Sequence, residues 1–170
     1  MSQEASKKIE NMGVKEIAEY LNIPIWLVQT IMCNYVESVP ISGGASCFAT
    51  DIYNEWKPVK IAILNSLPLN AFDRPYDLKV FPVTSTKRLL EFLTSVPNEY
   101  TCFVRHPATV GVINKYLNVR CGGETYRYNG EIIVAFVLRS RTPTSGTEVN
   151  NITEDDLLSY IIYPMPILDS

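Results

Sequence analysis

Histidine is nearly missing from this chain: His106 is the single one among 170 residues. That count excludes a histidine-rich metal centre within one chain. The four cysteines, Cys33, Cys47, Cys102 and Cys121, are scattered and form no CxxC pair, which argues against structural zinc. Free, mostly buried thiols are the expected state, with disulfide pairing the alternative that an even count permits. Long hydrophobic runs are missing too. The longest, such as Ile132 to Leu138, fall far short of the roughly 20 residues of a membrane helix. Neither a Walker loop nor an HExxH helix is found, and no internal repeat stands out. The start of the chain, with Ser2, Gln3, Glu4, Lys7 and Lys8, has no apolar signal segment, so cytoplasm is the expected location and no membrane association is expected.

A dominant charge is likewise absent. The net charge is -3, with 4 basic and 7 acidic residues in 1–57 and 11 of each in 58–170. Neither part has the composition of a basic nucleic-acid binder, so any nucleotide site must be local. What the chain does have is 46% apolar residues, enough for one globular domain or one domain with a small appendage.

Three segments follow from the patterning. Residues 1–37 hold a helix-turn-helix-like pair. Val14, Ile17, Ala18 and Leu21 recur at helical spacing, Asn22-Ile23-Pro24 breaks the pattern, and Ile25, Leu27, Val28, Ile31 and Met32 resume it. DNA contact through residues 12–36 is one reading, although Glu16 and Glu19 are acidic and the second helix is almost without polar residues. Packing or dimerisation is the other. Residues 38–57 read as a linker, with Trp56 an anchor for it.

Residues 58–170 read as a compact α/β domain with a mixed β-sheet flanked by helices. Strands are expected at 59–64, 78–83 and 100–104, and helices at 85–94 and from Val110 to about Asn118. Asn129-Gly130 signals a hairpin between 125–128 and 131–138. A helix over 154–160 capped by Thr153 is expected next, and then a strand over 161–168 held to an edge position by Pro164 and Pro166.

The chemistry-bearing stretch is Arg105-His106-Pro107-Ala108-Thr109, where a strand gives way to a helix. Free N–H groups at a helix start suit an anion, Thr109 adds a hydroxyl and Arg105 a charge, and proline fits the first helical turn. The plainer reading of His106 is a loop residue or helix cap. Asp155-Asp156 reads as a helix-start pair rather than a catalytic one.

The run from Ile61 through Arg141 resembles the small viral and plasmid-borne ring nucleases known as anti-CRISPR proteins of type III systems, with relatives in archaea and bacteria. The matching residues are Leu64-Asn65-Ser66-Leu67-Pro68-Leu69, Val104-Arg105-His106-Pro107-Ala108-Thr109, the Asn129-Gly130 turn before Ile132 to Leu138, and Arg139-Ser140-Arg141-Thr142-Pro143. The likeness covers about residues 58–170. It implies a homodimer that encloses cyclic tetra-adenylate and cuts it without metal or other cofactor: the ribose 2′-OH attacks the adjacent phosphorus and leaves a cyclic phosphate and a 5′-OH. His106 matches the family histidine that serves the leaving oxygen or the charged transition state, and Asn65 an asparagine that hydrogen-bonds ribose or phosphate. Arg141 matches a retained arginine.

Four positions, in three places, depart from the family pattern. Pro68 stands where a serine is usual, Glu124 and Thr125 where an Asn-Arg pair is usual, and Thr144 where a glutamate is usual. Arg105, Arg139 and Arg141 are candidates to rebuild a phosphate site, since guanidinium forks suit phosphate oxygens. Two other functions compete with binding or cleavage of cyclic oligoadenylate: a DNA-binding or regulatory protein using residues 12–36, and a host-interaction protein on a scaffold that has lost its chemistry.

Overall fold

Isoleucine at alternate positions decides how the first strand sits. In β1 (Lys60–Leu64), Ile61 and Ile63 point to one side of the sheet and Ala62 and Leu64 to the other, and all four are buried. A strand covered on both faces belongs inside a sheet. The computed structural model of the chain, which describes residues 9, 11–32, 59–96, 98–123, 125–139 and 152–167, places it there.

The other described elements are α1 (Val14–Leu21), α2 (Ile25–Met32), β2 (Tyr76–Pro82), α3 (Thr86–Ser95), β3 (Glu99–Cys102), α4 (Pro107–Asn114), β4 (Ile132–Leu138) and β5 (Leu157–Pro166). Short 3-10 turns cover Leu69–Ala71 and Glu154–Asp156. The five strands form one mixed sheet in the order β2-β5-β4-β1-β3. β1 runs parallel to both β3 and β4, whereas β5 runs antiparallel to β4 and β2. The fold is α/β.

All four described helices contribute to one apolar layer on one face of the sheet. Leu21, Leu27, Ile31, Leu90, Phe92 and Ile113 are 0% exposed and share that core with Ile61, Ile63, Val134 and Phe136. α3 begins where Ser85 caps it, its hydroxyl accepting from the Arg88 N–H at 3.3 Å. The helical pair α1 and α2 is tied down by polar contacts as well. The Thr84 N–H donates to the Leu21 carbonyl at 3.1 Å, Asn98 to the Ile31 carbonyl at 3.2 Å, and the Tyr20 hydroxyl to buried Glu91 at 2.8 Å. Trp26 sets its ring edge-on against Phe81 and Tyr163, with centroids 5.7 and 5.3 Å away. α2 has no lysine or arginine.

The opposite face carries no α-helix among the described residues. Irregular segments cover it, 67–72 and 125–128, with Tyr126 buried over Ala62, Ile133 and Ala135. Phe72, Tyr76 and Tyr128 form a ring triad there, with centroids 4.9–5.3 Å apart.

Several expectations from sequence are corrected. The hairpin does not form. Gly130 adopts the positive φ of 88° that a turn uses, but 125–128 is not a strand, and its Tyr128 N–H donates to the Ala71 carbonyl at 2.9 Å instead. β4, buried from Ile132 through Phe136, takes β1 and β5 as its two neighbours. The expected helix over 154–160 is one 3-10 turn followed by β5. The Thr153 N–H does bond Asp156 at 2.8 Å, yet Leu157, Ser159 and Ile161 alternate into the helix layer as a strand. The helix at 110–118 ends earlier, at Asn114.

Nor is the last strand an edge. β5 lies between β2 and β4 despite its prolines, and the hydrogen bonds explain why. The Ser159 carbonyl and the Ile167 N–H both face the β2 side, so by alternation the backbone of residues 164 and 166 faces the β4 side. Pairing with β4 starts only at Ile162. The prolines therefore lie past the start of β4, where no ladder N–H is needed. The linker 38–57 with Trp56, the residues Cys33, Cys47, Glu124, Arg141 and Thr144, and most of the loop at 139–151 lie outside the described residues.

Candidate functional site

Two parallel neighbours that end together make a natural place for a ligand, because strand ends are rigid and the chain leaving them is free to vary. β1 and β3 are such a pair, in register from Lys60 with Glu99 to Ile63 with Cys102, and the Phe103 N–H extends the ladder to the Ile63 carbonyl at 2.9 Å. From β1 the chain leaves through Asn65 and Ser66. From β3 it leaves through Val104, Arg105 and His106.

Alternation then sorts the β3 exit. Val104 is fully buried in the helix layer, while Phe103 turns to the open face. Arg105 follows Phe103, and both line a groove of about 310 Å³ together with Asn65, Ser66, Pro68, Thr125 and Tyr126. Two of the residues singled out from sequence, Asn65 and Arg105, thus meet on one wall system. Both are exposed.

His106 starts the move back to the helix layer and is not among the groove's walls. It is the N-cap of α4: its Nδ1 accepts from the Thr109 N–H at 3.4 Å, and the Thr109 hydroxyl lies 3.3 Å from the same nitrogen. The ring is half-buried and Thr109 is 2% exposed. Thr109 is therefore turned to the histidine rather than to an outside anion. Accepting through Nδ1 leaves Nε2 as the protonated nitrogen of the neutral ring.

Arg105 is held by the Gly123 carbonyl. Gly122 and Gly123 have φ of 97° and 110°, a region open to glycine at no steric cost, and this turn carries the Gly123 carbonyl to the guanidinium. Arg139 leaves the end of β4, where its N–H and Nε donate to the carbonyls of Asp156 and Asp155 at 2.8 and 2.9 Å. Its guanidinium is anchored to the 154–156 turn. Since β4 is parallel to β1, Arg139 emerges at the same end of the sheet as Asn65 and His106.

Sequence reasoning missed the apolar floor of the groove. Phe103 and Tyr126 meet edge-to-face at 5.0 Å and separate the groove from a second hollow of about 270 Å³, which carries Lys60, Arg127, Glu99 and Glu131. The spacing of Tyr126 and Tyr128 was the available signal, but a two-residue period cannot say which strand lies beneath. The Tyr126 hydroxyl donates to Glu131, whose carboxylate also accepts from the Asn129 N–H at 3.0 and 3.2 Å. Burial, and after it the Glu131 carboxylate, raises the Tyr126 phenol above its ordinary value. Tyr128 is pushed up to about 12, again chiefly by burial.

Among the described residues no three His, Cys, Asp or Glu side chains converge as a metal set, and no helix is long and apolar enough to cross a membrane. A scan against protein-family models finds no match for this chain, and a search of curated proteins finds none either.

Proposed function

We propose that this protein binds cyclic oligoadenylate at the shared end of β1, β3 and β4, and cleaves it without a metal, countering type III CRISPR signalling. The observation that carries the reading is that Asn65, distant in sequence, shares a groove with Arg105 at the exits of two adjacent parallel strands, with His106 the next residue along the β3 exit. The groove supplies an amide, a guanidinium and an aromatic floor, which are groups suited to ribose, phosphate and base respectively. A two-fold symmetric ring fits two copies of the chain, each contributing one such end.

In the proposed step the ribose 2′-oxygen attacks phosphorus in line, its proton passing to solvent water, and the P–O5′ bond breaks. The leaving 5′-oxygen takes a proton from Nε2 of protonated His106. Thr109 suits both charge states of the ring. Its N–H donates to Nδ1 when the ring is neutral, and its hydroxyl oxygen accepts from Nδ1–H when the ring is charged. That makes Thr109 a positioning residue.

The test incubates the full chain with radiolabelled cyclic tri-, tetra- and hexa-adenylate in EDTA. Wild type is expected to retain the tetra-adenylate ring and convert it to a linear product with a cyclic phosphate. His106→Asn preserves a capping side chain and removes the imidazole, so cleavage falls by about 10²–10⁴ while the fold stays intact. Arg105→Ala weakens retention. Neither retention nor cleavage by wild type overturns the reading.

A further inference from the structure

Cys102 closes β3, and Cys121 lies beside it as its partner in an isolated parallel bridge. The Gly122 N–H holds the two segments together by donating to the Cys102 carbonyl at 3.2 Å. Bridge partners send their side chains to the same side of a sheet. Both residues face the helix layer, Cys102 buried in it and Cys121 packed against the same core. Adjacent strands lie about 4.8 Å apart, inside the roughly 4.4–6.8 Å between Cα atoms that a disulfide spans. Both thiols are free in this structure.

We propose that Cys102 and Cys121 form a redox pair whose oxidation closes a covalent loop around the segment carrying Arg105, His106 and Thr109. The two thiols differ in access, which orders the steps. Cys121 is half-buried and Cys102 is 1% exposed. Burial, and after it the neighbouring Cys121 thiol, pushes the Cys102 thiol up to about 12, so Cys121 meets an external oxidant first. With a low-molecular-weight disulfide as oxidant, the Cys121 thiolate attacks one sulfur and expels one thiolate. The Cys102 thiolate then attacks Cys121 Sγ and expels the second. Two protein thiols and one small disulfide become one protein disulfide and two small thiols. The inference stands on the bridge alone and holds whether or not the chain acts on a cyclic nucleotide.

The experiment uses the full chain as Cys33→Ser/Cys47→Ser, with wild type followed by peptide mapping as the parallel sample. After excess oxidised glutathione, the expected result is no titratable thiol, a linked peptide joining residues 102 and 121, and a Tm raised by roughly 6–12 °C that dithiothreitol reverses. Adding Cys102→Ser should trap Cys121 as a mixed disulfide with glutathione. Adding Cys121→Ser should leave Cys102 unmodified in the folded protein. The proposal is overturned if both thiols persist after oxidation, or if Cys121 stops at the glutathione adduct while Cys102 is present.

Discussion

The two faces of the sheet are built from different materials. On the helix side β1 and β4 present Ile61, Ile63, Val134 and Phe136, and four helices cover them with fully buried leucine, isoleucine and phenylalanine. On the other side the same strands present Ala62 and Ala135 beside Leu64 and Ile133, and coil segments carrying aromatic rings lie over them. Large side chains under helices give a close-packed layer. Small ones under coil leave the groove that Asn65, Arg105, Phe103 and Tyr126 share. One face holds the protein together and the other holds the candidate site, and the strand alternation lets both be built on the same residues.

The sharpest way to break that contrast is a large truncation on each side. Phe136→Ala in the helix layer is expected to cost about 3–5 kcal/mol, and Leu64→Ala beneath the groove about 2–3 kcal/mol. Equal losses in a urea titration would show that the open face packs as tightly as the helix face.

Next in size is the Tyr126–Glu131 pair, for which Tyr126→Phe is expected to lose about 1.5 kcal/mol. This site also sets a pH dependence. A phenol whose pKa is raised by folding keeps its proton in the native state while the unfolded chain loses it, so its stabilisation is complete below pH 10 and declines as pH rises beyond it. Wild type should unfold more readily in alkaline urea series above pH 10, and the slope should be shallower in Tyr126→Phe.

Helix caps come third. Ser85→Ala and His106→Ala should each cost about 1 kcal/mol, whereas His106→Asn should restore most of that loss. Thermal melts of the three variants separate the capping role of His106 from any chemistry it performs. The smallest effect belongs to the groove wall itself, where Asn65→Ala should change stability by no more than about 0.5 kcal/mol. A larger loss in the same melts would mean that the groove's polar wall helps hold the fold.

Much of the helix layer was legible. The spacing of Val14, Ile17, Ala18 and Leu21, the break at Asn22 to Pro24, the helix expected over 85–94 and the proline after His106 all mark elements found where local chemistry puts them. Asn22 even takes the left-handed φ of 59° that ends α1. The site was legible only in part. A strand-to-helix junction flagged Arg105 and His106, but nothing near Asn65 in sequence says that β1 and β3 are neighbours. The helix-cap reading of His106 is the one its bond from the Thr109 N–H bears out, but the turn of the Thr109 hydroxyl to the same ring was hidden, since helix starts offer hydroxyls inward and outward alike.

Periodicity, capping and turn chemistry are properties of a few consecutive residues, so the sequence by itself determined α1 to α4, most strands, and the positive-φ bend at Gly130. Which strands pair is a non-local choice, made by burying whole faces at once. Tertiary structure alone turned the expected hairpin into parallel pairing of β4 with β1, put a proline-bearing strand inside the sheet by running its prolines past β4, and brought Asn65 to the end where Arg105 and His106 leave β3. Backbone hydrogen bonds that must be satisfied on both sides of a buried strand leave few such arrangements, and local patterns do not distinguish among them.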